Sequence, residues 1–242
     1  MNKKTAALSK KILKINELLI QKYGIPNRPQ NSPAPIDMLI ATILSQNTND
    51  KNSYKAFTNL KKNYKSWDEV AKLSVKKIEN EIRTAGLGKQ KSLTIKNLLN
   101  TLLKKHNEIS LSYLTDKEDE VIINTLTDFP GIGVKTASCV LLFSLKRNIC
   151  PVDTHVHRTT NRIGIVDTNT PDKTFTELNK NLPDNIAHSF HTNLIRLGRE
   201  ICKPTNPFCG NCPLDKICKF NGKNYAADIK YVEKNFMLLD NV

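Results

Sequence analysis

The chain of 242 residues has no run approaching 18 apolar residues, which excludes a helix of the length needed to span a bilayer. Its first residues, Met-Asn-Lys-Lys-Thr-Ala-Ala-Leu-Ser-Lys-Lys, are basic but lack the continuous apolar core of a secretion signal. Sustained alternation of apolar and polar residues is missing, so no strand is predicted, and no tandem repeat is present. Acidic residues are scarce, with 23 Asp and Glu against 37 Lys and Arg, a net charge of +14. A surplus of that size points to a polyanion as partner, because each phosphate neutralised releases condensed counterions. A basic surface kept for solubility is the plainer alternative. Without an export signal the six cysteines are expected as reduced thiols in a cytosol-like compartment.

What is present is helical periodicity. Leu8, Ile12, Ile15, Leu18 and Leu19 recur at three- and four-residue steps, and Pro26, Pro29, Pro33 and Pro35 then break the chain into a linker. Helices are predicted over Ile36–Leu44 and Asp50–Leu60. Ser66-Trp67-Asp68-Glu69 reads as a capping box, and Ser74 as the cap of a helix running to Gly86 with Ile78, Ile82 and Ala85 inward. Lys89–Lys105 places Ile95, Leu98, Leu99 and Leu102 on one face. A charged loop at 116–120 leads to a helix ending near Asp128. Later helices start at Asp153 or Thr154, at Thr170-Pro171 and at Ala187.

Three segments carry chemistry. In Phe129-Pro130-Gly131-Ile132-Gly133-Val134-Lys135-Thr136-Ala137, two glycines one residue apart permit backbone angles that other residues resist. Helices on both sides make this a tight inter-helix hairpin, and the free N–H groups of the following helix offer a seat for a phosphate. No lysine–serine pair follows as a nucleotide P-loop requires, and a plain helix–helix turn is the other reading. Lys135 falls in that helix's first turn, where the N–H groups disfavour an ammonium. A neutral amine there could attack a sugar C1′ and form a Schiff base; otherwise it is a solvated surface lysine. In Val152-Asp153-Thr154-His155-Val156-His157-Arg158, Asp153 is either a helix N-cap or a carboxylate that stabilises positive charge on a sugar as its base leaves. His155 and His157, two apart on a helix, face different ways and suit packing or phosphate contact better than a metal.

The third segment is Cys202-x6-Cys209-x2-Cys212-x5-Cys218. One close pair flanked by two more distant thiolates suits a [4Fe–4S] cluster; structural zinc, which usually takes two close pairs, is the alternative. Lys203, Lys216 and Lys219 flank the thiolates and could contact phosphate. Cys139, inside an apolar run, reads as core.

Together these residues resemble the endonuclease III family of DNA base-excision glycosylases, from about Ile36 to Cys218. The resemblance implies an all-α fold of two helical domains with a DNA-binding cleft between them, a helix–hairpin–helix motif and a C-terminal iron–sulfur loop. It assigns 28–147 to a six-helix domain, 1–27 plus 148–220 to the cluster domain and 221–242 to a tail. It implies Lys135 as nucleophile and Asp153 as its partner. Gly131, Gly133, Val134, Thr136 and His155 would contact DNA, and Cys202, Cys209, Cys212 and Cys218 would hold the [4Fe–4S] cluster. Leu44-Ser45-Gln46-Asn47-Thr48-Asn49-Asp50 looks like the loop that fills the gap left by a flipped nucleotide. The family usually carries glutamine where Asn47 stands, whereas here Gln46 comes one residue earlier, so either could be the plug. Gly86-Leu87-Gly88 resembles the loop that wedges an apolar side chain beside the opposite base, which suggests Leu87. A longer loop is expected near Asp116. The implied activity is a bifunctional DNA glycosylase and apurinic/apyrimidinic lyase on oxidised pyrimidines, a monomer acting on double-stranded DNA that carries a damaged base or an abasic site. Two rivals are a monofunctional mismatch glycosylase of the same superfamily, whose lineages generally lack the lysine, and a non-catalytic iron–sulfur DNA-binding module.

Overall fold

The computed structural model describes residues 3–226, 238–240 and 242; the remainder of the segment read as a tail, 227–237 and 241, lies outside the described residues. The described residues are all-helical. In chain order the α-helices are α1 (Lys3–Tyr23), α2 (Pro35–Ser45), α3 (Asp50–Asn63), α4 (Trp67–Lys72), α5 (Val75–Glu81), α6 (Gly88–His106), α7 (Asp119–Thr127), α8 (Val134–Cys139), α9 (Thr154–Ile163), α10 (Pro171–Asn179) and α11 (Ala187–Glu200). They fall in two compact units, one within Met1–Arg28 and Arg147–Asn235, the other within Pro29–Lys146 and Phe236–Val242. No helix among the described residues is long and apolar enough to cross a membrane.

The second unit is built around α2. Met38, Leu39, Ile40, Ala41, Ile43 and Leu44 are all fully buried, so beyond Asp37 this helix is buried on every side and forms the core itself. α3, α6 and α8 pack on it. The α6 face predicted from Ile95, Leu98, Leu99 and Leu102 is buried as expected. α8 passes directly into one π-helical stretch, Val140–Ser144, all buried, which keeps Cys139 and Phe143 in the core. Near the C-terminus, Leu238 is buried and its N–H donates to Asp50 Oδ2 (3.2 Å).

Local chemistry departs from expectation at one start and one end. The Ser66 side chain accepts no capping bond, and Glu69 reaches past the cap to the Lys65 N–H (2.9 Å), so the capping box does not form as read. Ser74 does cap α5, accepting from the Lys77 N–H. That helix stops at Glu81 rather than running to Gly86, and a 3₁₀ turn, Arg83–Ala85, carries the chain on with Ile82 and Ala85 still buried. The 107–118 connection is ordered: Leu111 and Leu114 are buried, and the Tyr113 ring stacks on His106 at 4.2 Å.

In the first unit α11 packs against α1 and α9. Ile12, Ile15 and Leu19 of α1, Phe190 and Leu194 of α11, and Val156 of α9 fill its core. Cations close several helix ends. Lys11 Nζ donates to Ile163 O (3.1 Å) and Gly164 O (2.9 Å) at the end of α9, and Arg196 donates to Tyr23 O (3.2 Å) at the end of α1.

α4 is fastened to α2 by one polar node. Trp67 Nε1 donates to Asp37 Oδ1 at 2.6 Å, and Lys61 pairs with the same carboxylate at 3.1 Å. The ion pair is partly exposed and contributes about 1 kcal/mol or less. The indole bond is mostly shielded, and stranding its N–H costs about 1–3 kcal/mol. Asp37→Ala is therefore expected to lower the melting temperature by roughly 3–10 °C, and Lys61→Ala by much less. Equal losses in thermal denaturation would contradict this ranking.

Candidate functional site

In the second unit, α2, α6 and α8 bring three loops into register. Gly131 adopts φ +87, and a Cβ there would stand 2.6 Å from Thr94 Oγ1 on α6. Only glycine lets the hairpin lie this close to α6. Gly133 differs from expectation: its φ of −102 suits any residue, and an added Cβ would meet open space. The turn closes through Ile132 N–H to Phe129 O (3.1 Å), and α8 begins at Val134 with no side-chain cap on its first amides.

Lys135 is the second residue of α8 and is half-buried. No hydrogen bond or ion pair engages its ammonium among the described residues. Val134 beside it is half-buried and Thr136 is buried. The Gln46 side-chain amide donates to Gly131 O (3.2 Å) and Thr136 Oγ1 (3.3 Å), binding the 45–49 loop to the hairpin. Asn47, by contrast, is exposed at φ +50 and makes no hydrogen bond among the described residues. Leu87 is also left-handed, at φ +48, and half its surface is exposed.

In the first unit, Asp153 is the N-cap of α9. Its Oδ1 accepts from the Val156 N–H at 2.8 Å, and the residue is half-buried. His155 packs against α11: a Cβ on Gly198 would fall 2.8 Å from its Cβ, and Arg158 Nη2 donates to its Nδ1 (3.2 Å). Burial is the main cause of its lowered pKa, which Asp153 opposes and Arg158 and Arg199 reinforce. At neutral pH it presents an imidazole without charge. His157 turns the other way, with Nδ1 2.7 Å from Thr174 Oγ1.

The four cysteines of the C-terminal segment are half-buried and line one pocket, together with Arg162, Ile201, Pro207 and Phe220. Arg162 frames it, donating to Lys203 O (2.7 Å) and Pro204 O (2.8 Å), lying 3.6 Å from Cys202 Sγ and stacking over Phe220 at 4.1 Å. Arg158 donates to Cys202 O at 3.0 Å. Past Phe220, Lys223 and Tyr225 both hold Asp215 (3.0 and 2.9 Å), and Asn224 O accepts from the Cys209 N–H. The segment read as a tail thus begins inside this loop. Burial pushes the Cys212 thiol up to about 12, and the sulfurs of Cys202, Cys218 and Cys209 push the same way. Four thiolates this close coexist only around positive charge. Among the described residues no three His, Cys, Asp or Glu side chains converge as ligands of one ion. Lys203, Lys216 and Lys219 are exposed; Lys203 also reaches over the Phe208 ring at 5.0 Å, and the Lys219 stem packs on Gly164.

Sequence reasoning missed Lys91. Its side chain is buried on α6, and its ammonium donates to Leu44 O and Ala85 O, both at 2.8 Å. Burial lowers its pKa to about 8. Its place near the apolar face of α6, next to Ile95 in helical spacing, was the available signal.

Comparison with known proteins agrees with this arrangement. A family model described as "HhH-GPD superfamily base excision DNA repair protein" matches residues 40–184. The chain is 34% identical over 196 residues to endonuclease III of Thermotoga maritima, covering 81% of this chain and 88% of that one. It is 38% identical over 178 residues to an Arabidopsis thaliana protein with a provisional DNA glycosylase name, covering 73% of this chain and 58% of that longer protein. Among solved structures, a non-covalent endonuclease III–DNA complex superposes with a TM-score of 0.74 at 26% identity, over 87% of this chain and 95% of that one. The hairpin seated on α6, the all-helical fold and these matches together lead to one conclusion: the chain belongs to the HhH-GPD superfamily of base excision DNA repair proteins, as a DNA glycosylase of the endonuclease III type.

Proposed function

We propose that the protein is a bifunctional DNA glycosylase and apurinic/apyrimidinic lyase acting on oxidised pyrimidines in duplex DNA. The observation that carries this reading is Lys135, an amine without a partner among the described residues at the start of α8, directly beyond the hairpin and beside amides that no side chain caps. Phosphate held by those amides would set the sugar of the damaged nucleotide against the lysine. The open space at Gly133 suits close approach of the DNA backbone. The nucleotide leaves the stack at a cost of roughly a few kcal/mol, smaller for a damaged pair. Exposed, left-handed Asn47 is the better candidate to enter the gap, since Gln46 is already spent on the hairpin. Leu87 would press beside the opposite base.

Lys135 Nζ attacks C1′, the glycosidic C–N bond breaks, and the base leaves with a proton. Ring opening at O4′ gives the imine. Loss of a C2′ proton then expels the 3′ phosphate, which cuts the strand. Asp153 is assigned as the carboxylate that stabilises positive charge at C1′ and relieves the attacking nitrogen of its proton. Support for a covalent intermediate comes from a solved relative described as a trapped endonuclease III–DNA covalent intermediate, at 26% identity and TM-score 0.74. Cys202, Cys209, Cys212 and Cys218 would hold a [4Fe–4S] cluster, whose positive core would offset part of the thiolates' charge and whose ligation would hold rigid a basic loop placed to touch phosphate.

Borohydride should trap the protein on DNA carrying an abasic site, and Lys135→Ala should abolish the adduct; undiminished trapping would overturn the lyase assignment. Asp153→Asn keeps a good N-cap but removes the charge, so it should slow base removal about 100-fold or more with DNA affinity and melting temperature nearly intact. Loss of folding instead would reduce Asp153 to a cap. Anaerobically purified protein should be brown, with iron and acid-labile sulfide in equal amounts; stoichiometric zinc without iron would refute the cluster.

A further inference from the structure

Lys91 heads the largest fully buried side chains among the described residues, yet the proposed chemistry does not use it. Lysine is almost never fully buried, because desolvating an ammonium costs several kcal/mol. An apolar side chain would fill the same space without that cost. What it could not supply is the pair of bonds that Lys91 makes. Leu44 O belongs to the last turn of α2, immediately before the 45–49 loop. Ala85 O ends the 3₁₀ turn, immediately before Gly86 (φ +67) and Leu87 (φ +48). One ammonium therefore ties the roots of the two loops that carry Asn47 and Leu87. One turn further along α6, Thr94 meets Gly131, and Gln46 binds the 45–49 loop to the same hairpin. The three loops are braced on one helix before DNA arrives.

We propose that Lys91 is a positioning residue for nucleotide eversion: through the Leu44 and Ala85 carbonyls it fixes the spacing of the loops that enter the duplex. This rests on the glycosylase/lyase reading above. Lys91 touches neither the sugar nor the base in this scheme. Its removal misplaces Asn47 and Leu87 and leaves covalent reaction at an already extruded abasic sugar unchanged.

α6 provides its own control. Lys96 likewise caps backbone carbonyls, those of Ala71 and Leu73 at the end of α4, but there the chain passes straight into α5 rather than into a loop assigned to DNA. The test uses the full chain as purified, with Lys91→Met, Lys91→Arg and Lys96→Met beside the parent. Base excision is measured on duplex DNA carrying an oxidised pyrimidine, and borohydride trapping on a single-stranded oligonucleotide carrying an abasic site. Lys91→Met should lose ten- to a hundredfold in duplex excision and stay within about twofold in single-strand trapping, while Lys96→Met stays within about twofold in both. If Lys91→Met is unfolded at the assay temperature, Lys91→Arg decides, since it keeps a buried donor at altered reach and should show the same duplex-selective loss. Parallel losses on both substrates, or a duplex loss no greater than that of Lys96→Met, overturn the positioning role. A parent protein that neither excises nor traps would instead overturn the glycosylase/lyase reading.

Discussion

The functional half of the second unit depends on one contact: the place where Gly131 lacks a side chain and Thr94 stands instead. With 2.6 Å available there, any Cβ would push the hairpin off α6, and φ +87 would strain a larger residue besides. Because the hairpin lies flat on α6, α8 starts where it does, Lys135 emerges in its first turn, and Thr136 comes within reach of Gln46. A helix whose every face is buried, α2, supports this from beneath and sends the 45–49 loop out beside the hairpin.

Much of this was legible in the sequence, and the reasons are local. Glycine spacing, the first-turn lysine and the apolar period of α6 are short-range signals, and each marked an element that forms. Ser74, Thr170 and Asp153 cap the helices they were expected to begin. Gly133 and Ser66 show the limit of such reasoning. Residue type there permits a special backbone or a cap, but the surrounding chain uses neither. The proposed preference for Asn47 over Gln46 needed the fold, because it rests on a hydrogen bond from Gln46 to a residue 85 positions away.

The net charge of +14 was the least transparent signal. Part of that surplus never faces a polyanion. Lys91, Lys96, Lys11, Arg158, Arg162 and Arg196 all donate to backbone carbonyls, closing helix ends and shaping the cysteine loop. Composition counts these cations as surface, whereas the fold uses them as internal fasteners. Surplus charge in such a chain therefore speaks for architecture as well as for a nucleic-acid partner. The cysteine loop is held in the same way: Arg158 and Arg162 fasten its backbone, and Arg162 also reaches one sulfur, Cys202 Sγ, at 3.6 Å.

The account centres on a single amine bonding to deoxyribose. Digesting the borohydride-reduced adduct with trypsin and mapping the modified peptide by mass spectrometry tests it most directly. The account predicts a deoxyribose remnant on Lys135, with cleavage after that residue blocked. A remnant on any other lysine, or on the N-terminal amine, would contradict it.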